Sequence, residues 1–218
     1  MAARYELIVF DWDGTIMDST GLIAECIQLA ARDLSLPVPS VESAKSIIGL
    51  GIHDSVKRLF PQLSPEGQAQ YALTYRRHYV DRDHEAPLYA GIPELLAGLA
   101  RPERFLAVAT GKPRAGLERA FAHTGLRPHF HFSRCADEGF AKPHPDMLQK
   151  LMEFTAVAPD RTLMIGDTTH DLDLAHNAGV EAVAVTYGAH PRDSLQQRDA
   201  IAVVDTVDEL RTWLTKNG

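Results

Sequence analysis

Two carboxylates stand one residue apart directly after a short apolar run near the start of the chain. Asp11 and Asp13 follow the stretch LIVF at residues 7–10, which predicts a strand buried on both faces. Because carboxylates are costly to desolvate, two acids at the end of a buried strand indicate a cationic partner. The alternative is a capped turn in which Asp13 binds only nearby backbone amides.

Polar residues follow later predicted strands in the same way. Thr110 ends the second strong apolar stretch, and Asp167 follows the third, with Asp171 four residues further on. Lys142 lies in a turn before a predicted helix. Since the carboxyl ends of parallel strands share one edge of a sheet, these residues can meet there although they are distant in sequence.

The resulting set of side chains suits a phosphoryl group held beside Mg²⁺. Mg²⁺ takes few protein carboxylates and keeps water and phosphate oxygens as further ligands. A lysine such as Lys142 offsets the crowding of the acids and can hold a phosphoryl group, and Thr110 adds a hydroxyl. Acids alone would repel a phosphate, whereas acids, Mg²⁺ and a lysine together can bind one.

The elements that must position these residues alternate between strand and helix, which predicts an α/β fold with a doubly wound, parallel, Rossmann-like sheet. Predicted strands lie at residues 7–10, 105–109, 162–165, 182–185 and 200–204, with a weaker segment at 130–132.

Residues 17–86 contain only helical patterns, at about 20–34, 41–48, 54–60 and 65–81. In the last of these, Tyr71, Tyr75 and Tyr79 recur every four residues and predict a stripe that faces a core. We therefore expect a core domain over residues 1–16 and 87–218, and a small helical cap domain inserted over residues 17–86.

Composition limits the partners and the location of the protein. Of its 218 residues 45% are hydrophobic, enough for a packed core, and the net charge of -7 argues against a nucleic-acid partner. Two isolated cysteines, Cys26 and Cys135, fit a reducing compartment. No apolar stretch is long enough to cross a bilayer, and the first six residues leave no room for a secretory signal. We expect a cytoplasmic protein with no membrane partner.

The ordered motifs resemble those of the haloacid dehalogenase superfamily, specifically its phosphatases with a helical cap after the first strand. The segment DWDGT at residues 11–15 is similar to the family motif D-x-D-G-T. Thr110 matches the Thr or Ser that ends the second strand, and Lys142 matches the lysine of the third motif. Residues 166–171, with Asp167 and Asp171, match the acidic fourth motif, so the resemblance spans the chain.

The resemblance implies a role for each acid. Asp11 would attack phosphorus and form an aspartyl-phosphate, while Asp13 would act as general acid and then general base. The carboxylates of Asp11 and Asp167 and the main-chain carbonyl of Asp13 would hold Mg²⁺. Asp171 would bind the metal directly or support a ligand; alternatively it only complements a helix dipole.

The resemblance also implies that Thr110, Lys142 and the amides of the first turn bind the transferring phosphoryl oxygens. The cap loop IGLGIHD at residues 48–54 is similar to the specificity loop of phosphoglycolate phosphatases and related pyrophosphatases. The residues to which we assign further substrate contacts are Trp12, Thr15, Gly49, His53 and Gly111.

The expected function is that of a Mg²⁺-dependent, phosphoglycolate-phosphatase-like enzyme for a small phosphorylated metabolite, as a monomer or homodimer. A dehalogenase would lack Asp13, and a phosphonatase would need a cap lysine in a context that neither Lys45 nor Lys57 has. A β-phosphoglucomutase usually carries a bulkier apolar residue where Thr15 stands. That enzyme, a pyrophosphatase and a non-catalytic phosphate-binding relative stay open as alternatives.

Overall fold

A single parallel sheet of six strands organises the part of the chain that the computed structural model describes, residues 4–218. The strand order is β3–β2–β1–β4–β5–β6, so β1 is central, and each neighbouring pair is parallel. The α/β class and the doubly wound topology are confirmed. The strands are β1 (Leu7–Phe10), β2 (Phe105–Thr110), β3 (Phe132–Cys135), β4 (Thr162–Gly166), β5 (Glu181–Val185) and β6 (Ala202–Val204).

Four of the five α-helices between β1 and β2 lie within the predicted cap: α1 (Thr20–Asp33), α2 (Val41–Lys45), α3 (Ile52–Leu59) and α4 (Pro65–Val80). They pack on one another in two small apolar clusters, one of which also includes Ala189 of the core. The chain enters and leaves this region through adjacent segments, because the amide of Asp18 donates to the carbonyl of Pro87 at 2.8 Å. Whether residues 17–86 form a separate domain stays a prediction.

The remaining helices of the described chain cover the two faces of the sheet. Alternate residues of β1 point to opposite layers, with Ile8 and Phe10 in one core cluster and Leu7 and Val9 in the other. Because the strands are buried on both faces, their sequences are continuous runs of apolar residues. The first layer consists of α5 (Ile92–Leu99), α6 (Arg114–Thr124) and α10 (Val207–Asn217), and the second of α7 (Asp146–Thr155), α8 (Thr169–Ala178) and α9 (Arg192–Gln196).

Several element bounds differ from the sequence-based expectation. The third strand in the chain begins at Phe132 rather than at residue 130, because a 3₁₀ turn at Arg127–His129 delays it. Helix α2 ends at Lys45 because turns lead from there to Gly49, whose φ of +93° is unsuited to a helix. The sequence analysis identified neither α9 nor α10. The expectation about a secretory signal concerns residues 1–3 as well, which lie outside the described part.

No helix within residues 4–218 combines the length and the apolar character that a membrane span requires.

Candidate active site

The turn after β1 brings the first carboxylate to the carboxyl edge of the sheet. Asp11 continues the pairing with β4, since its amide donates to the carbonyl of Ile165 at 2.9 Å. The chain then turns at Gly14, where φ is +88°. A Cβ at Gly14 would lie 2.1 Å from Oδ2 of Asp167. Glycine at this position therefore permits both the turn and the close approach of a second acid.

Lys142 joins two of the predicted acids. Its Nζ donates to Oδ1 of Asp11 at 2.6 Å and to Oδ1 of Asp171 at 2.5 Å, and the side chain is fully buried. Burial disfavours the charged ammonium, but the two adjacent carboxylates outweigh it and raise the pKa of Lys142. The site therefore contains a fixed positive charge beside the predicted nucleophile.

Three buried carboxylates, those of Asp11, Asp167 and Asp171, have oxygens that lie within 4.8 Å of one another. Burial, together with the charges of the other two acids, raises the pKa of Asp11 despite the nearby Lys142. Burial and the charge of Asp171 likewise raise the pKa of Asp167 to about 7. The three carboxylates thus carry more negative charge than Lys142 alone can offset.

This excess of negative charge fits a divalent cation. Oδ2 of Asp11 is buried and finds no hydrogen-bond partner among residues 4–218, although its other oxygen is bonded. A buried carboxylate oxygen without a partner is costly. The donor set is made of carboxylates only, which suits a hard cation such as Mg²⁺. A metal ion there would give this oxygen a partner and lower the pKa of Asp11 and of Asp167.

Both fourth-motif acids are held by hydrogen bonds. Asp167 accepts from the Thr15 hydroxyl at 2.8 Å and from the Ala189 amide at 2.7 Å. Asp171 occupies the first turn of α8, where it forms a capping box with Thr168. One oxygen of Asp171 thus caps the helix and the other faces Lys142, so the residue does more than complement the helix dipole. Metal binding by Asp171 stays a prediction.

A second buried lysine, which the sequence analysis did not identify as a site residue, accompanies Asp13. Nζ of Lys112 lies 2.9 Å from Oδ1 of Asp13 and donates to the hydroxyl of Tyr79 at 2.6 Å. Ser19 donates to the same Asp13 oxygen at 2.6 Å. Tyr79 belongs to α4, so the network connects the cap helices to the predicted acid–base residue. The sequence feature that could have identified Lys112 is its position two residues after Thr110, the residue that ends β2.

The side chains of two predicted substrate contacts are engaged within the protein. The indole of Trp12 is buried in the core, where its Nε1 donates to Sδ of Met17 at 3.3 Å and its ring packs edge-on against Phe121. Only the main-chain amide of Trp12 is left for a ligand. Thr15 uses its buried hydroxyl to hold Asp167, and its side chain is a positioning group rather than a substrate contact. Thr110 lies fully buried at the end of β2, where its hydroxyl accepts from the Lys112 amide.

A cavity of about 780 Å³ lies above the first motif. We define its floor as the lining core residues Asp11, Asp13, Gly111 and Lys112 together with the residues grouped around Asp11, namely Lys142, Asp167 and Asp171. We define its wall as the cap residues that line the cavity. The predicted cap contacts, Gly49 and His53, belong to this wall. The structure thus places both beside the cavity that Asp11 and Asp13 also line.

The floor and the wall meet closely at Gly111. A Cβ there would lie 2.7 Å from the carbonyl oxygen of Gly49 and 2.8 Å from that of Leu50. Any larger residue would push the cap loop away from the sheet edge.

A pair of histidines lies at a second contact between core and cap. A ring nitrogen of His170 lies 3.1 Å from the carbonyl oxygen of Ser46 in the cap, and the ring of His170 packs edge-on against that of His190. Burial, reinforced by the neighbouring His170, lowers the pKa of His190 to about 4. Nδ1 of His190 accepts from the Thr169 amide at 3.1 Å. A neutral imidazole is therefore built into this contact.

Comparison with known proteins identifies the family to which this fold and these motifs correspond. Residues 8–185 match the family model described as haloacid dehalogenase-like hydrolase. A protein of Dickeya dadantii named probable phosphatase IndB is 33% identical, over 94% of this chain and 91% of its own. Tyrosine-protein kinase PtkA of Mycobacterium tuberculosis is 30% identical over 96% and 72%, respectively. The phosphoglycolate phosphatase of Vibrio cholerae is 28% identical over 94% and 95%.

Solved structures show the same architecture. The crystal structure of a predicted phosphatase from Clostridium acetobutylicum covers 98% of this chain and all of its own, with a TM-score of 0.88 and 25% identity. These findings confirm the family resemblance that the four motifs suggested.

Proposed function

Because the chain belongs to the haloacid dehalogenase-like hydrolases and is a phosphatase of that family, we propose that it hydrolyses a small phosphorylated metabolite with Mg²⁺ through an aspartyl-phosphate on Asp11. The observation that carries the proposal is the meeting of Asp11, Asp167, Asp171 and Lys142 at one buried edge of the sheet. One Asp11 oxygen is bonded to Lys142, while the other has no protein partner.

In the first step a carboxylate oxygen of Asp11 attacks phosphorus, and the bond from phosphorus to the leaving oxygen breaks. Asp13 gives its proton to that oxygen, so the product leaves as an alcohol. Ser19 and Lys112 hold Asp13 for this transfer, at 2.6 and 2.9 Å from its Oδ1. Lys142 keeps the attacking carboxylate oriented and offsets the negative charge of the incoming phosphate.

In the second step a water molecule attacks phosphorus and the bond between Asp11 and phosphorus breaks. Asp13, now ionised, takes a proton from that water, which returns both acids to their initial states. Asp11, Asp167 and Asp171 would hold Mg²⁺, which when bound offsets the charge of the phosphoryl oxygens. Thr15 and the Ala189 amide keep Asp167 in place for that purpose.

A chelation experiment and one variant test this function together. Protein freed of metal with a chelator should hydrolyse neither nitrophenyl phosphate nor a panel of phosphorylated metabolites, and added Mg²⁺ should restore turnover. Asp11→Asn should lose at least about 10³-fold in kcat, and no phosphate mass should appear on the peptide that contains residue 11. Full turnover in excess chelator contradicts the metal requirement. Phosphate recovered on another residue contradicts the nucleophile; deamidation of the variant must be excluded by mass.

A further inference from the structure

The cavity above Asp11 and Asp13 is larger than the smallest phosphorylated metabolites need. Its volume is about 780 Å³, within the range of roughly 300–1,000 Å³ that drug-sized ligands occupy. A two-carbon acid such as glycolate has only a few non-hydrogen atoms, and one water molecule takes about 30 Å³ in the liquid. Glycolate would therefore leave most of the cavity to water.

Most of the wall that faces this space is apolar. Helices α1, α3 and α4 and the loops beside α2 each contribute aliphatic or aromatic side chains to it, among them Ile27, Ile47, Ile52, Val56 and Tyr75. At the mouth Phe140 is 63% exposed and stacks on the ring of His144 at 4.4 Å between centroids. An apolar wall holds water poorly and gains free energy when an apolar group displaces that water.

The basic groups that line the cavity are not placed for a carboxylate close to the phosphate. Lys112, on the floor, is already paired with Asp13 and Tyr79. Arg119 donates to Asp83 at 2.8 Å. The other basic residues of the lining, His53 and Arg76, are exposed to solvent, where an ion pair contributes little.

We propose that the preferred substrate is a phosphomonoester whose leaving alcohol carries an uncharged apolar or aromatic group larger than glycolate. The proposal rests on the phosphatase function above and assigns the apolar wall to the leaving group. The phosphate lies at the floor beside Asp11, and the organic part extends along α3 and α4 towards Phe140.

A series of n-alkyl phosphates measures this preference, because ethyl, butyl and hexyl phosphate release alcohols of similar basicity. With Mg²⁺ present, kcat/KM should rise by about threefold to fourfold for each methylene group that the wall buries. Phosphoglycolate and isobutyl phosphate form a matched pair of similar shape, since two methyl groups replace the two carboxylate oxygens. Isobutyl phosphate should be hydrolysed at least about tenfold more efficiently than phosphoglycolate.

Two variants, each at the first residue of a cap helix, test whether the wall causes the dependence on alkyl chain length. Ile52 and Val41 are each the first residue of a cap helix, but only Ile52 lines the cavity. Ile52→Asn should flatten the dependence on alkyl chain length, while Val41→Asn should leave it as in the unaltered protein. If Ile52→Asn unfolds, as judged by its thermal transition, Ile52→Ala tests the same position.

The outcomes separate the substrate class from the function itself. A faster reaction with phosphoglycolate than with isobutyl phosphate, or a kcat/KM independent of chain length, overturns the proposed substrate class and leaves the phosphatase intact. Failure to hydrolyse any of these esters or nitrophenyl phosphate with Mg²⁺ overturns the proposed function instead.

Discussion

At the floor of the cavity the side chains are charged, buried and bonded to one another, whereas the wall that faces them is mostly apolar and bonded to little. Asp11 and Asp13 each have their own lysine, Lys142 and Lys112. The wall includes residues such as Ile52 and Tyr75, which make their contacts through packing. Buried charges require fixed partners, so the floor tolerates little variation, while an apolar wall can change shape at low cost. Reaction chemistry and substrate choice are thus assigned to different parts of the chain.

The two lysines also divide the floor. Lys142 connects Asp11 to Asp171 within the core, whereas Lys112 connects Asp13 to Tyr79 of the cap. Core residues alone therefore position Asp11, the proposed nucleophile. Asp13, the proposed acid–base residue, is positioned partly by α4, so its placement depends on the cap as well.

Loss of the acid–base group tests the floor with the largest effect that we expect here. Asp13→Asn should lower kcat for an alkyl phosphate by ~10²–10⁴-fold, because the alkoxide needs a proton to leave. Nitrophenol leaves as a weaker base, so the first step should be less affected and the phosphoenzyme should accumulate. The measurement is a burst of nitrophenol together with phosphate mass on the peptide that contains Asp11.

Asp54→Asn is the matched control, since Asp54 lines the same cavity but lies exposed on α3. It should keep the unaltered rate with nitrophenyl phosphate and show no burst. Equal losses with alkyl and nitrophenyl phosphate in Asp13→Asn would argue against a role as general acid.

Most of the floor was predictable from the sequence because strand ends of a parallel sheet converge whatever the loops do. Asp11, Asp167 and Lys142 needed only the alternation of strands and helices and the motifs at the strand ends. Lys112 was missed because its partners, Asp13 and Tyr79, lie on different elements and become neighbours only after the cap packs on the core.

The wall was much less predictable. Tyr71, Tyr75 and Tyr79 do form one stripe on α4, as their spacing indicated, but all three also line the cavity. Helical periodicity gives the direction in which a side chain points and contains no information on whether the space there is filled. The outcome at Thr15 has a similar origin, since its hydroxyl was free to face either the ligand or Asp167.

The link between floor and cap is tested by Lys112→Met, which leaves the Asp13 carboxylate buried with only Ser19 as a side-chain partner. Removing one partner of a buried ion pair costs ~3–5 kcal/mol, so the free energy of unfolding in urea should fall by about that amount. The double variant with Asp13→Asn should lose less than the sum of the single losses, because it buries no unpaired charge.

Lys150→Met removes an exposed lysine that is paired with Glu153 at 2.7 Å and should cost at most ~1 kcal/mol. If Lys112→Met is as stable as this control, Lys112 contributes little to the stability of the network that joins Asp13 to Tyr79.

The histidine contact between core and cap predicts a dependence of stability on pH. His190 has a pKa of about 4 in the folded protein against 6.5 for the free side chain. Between these values the unfolded chain binds a proton that the folded chain does not, so stability must fall as the pH drops from 6.5 towards 4. Between pH 7.5 and pH 5 the loss attributable to His190 should be roughly 2 kcal/mol.

His190→Asn isolates this contribution, since an amide oxygen can replace Nδ1 as acceptor for the Thr169 amide. Unfolding free energies are compared for both proteins at pH 7.5 and pH 5 in excess Mg²⁺. Metal is needed because the raised pKa of Asp167 in the metal-free protein acts in the opposite direction, lowering stability as the pH rises towards 7. A variant that loses as much stability on acidification as the unaltered protein would show that this histidine is not buried neutral.

The smallest predicted effect concerns the wall alone. It tests whether a change in the wall can alter substrate preference without altering metal binding at the floor. His53 lines the cavity from the cap loop, whereas the carboxylates that would bind Mg²⁺ belong to the core. His53→Ala should therefore change the ranking of phosphorylated metabolites by kcat/KM, with differences worth ~1–3 kcal/mol between substrates, at unchanged Mg²⁺ affinity. His78→Ala is the control, because His78 lies on α4 and pairs with Asp33 away from the cavity. An unchanged ranking would place specificity elsewhere in the wall. A weakened Mg²⁺ affinity would mean that the cap and the metal site act as one unit.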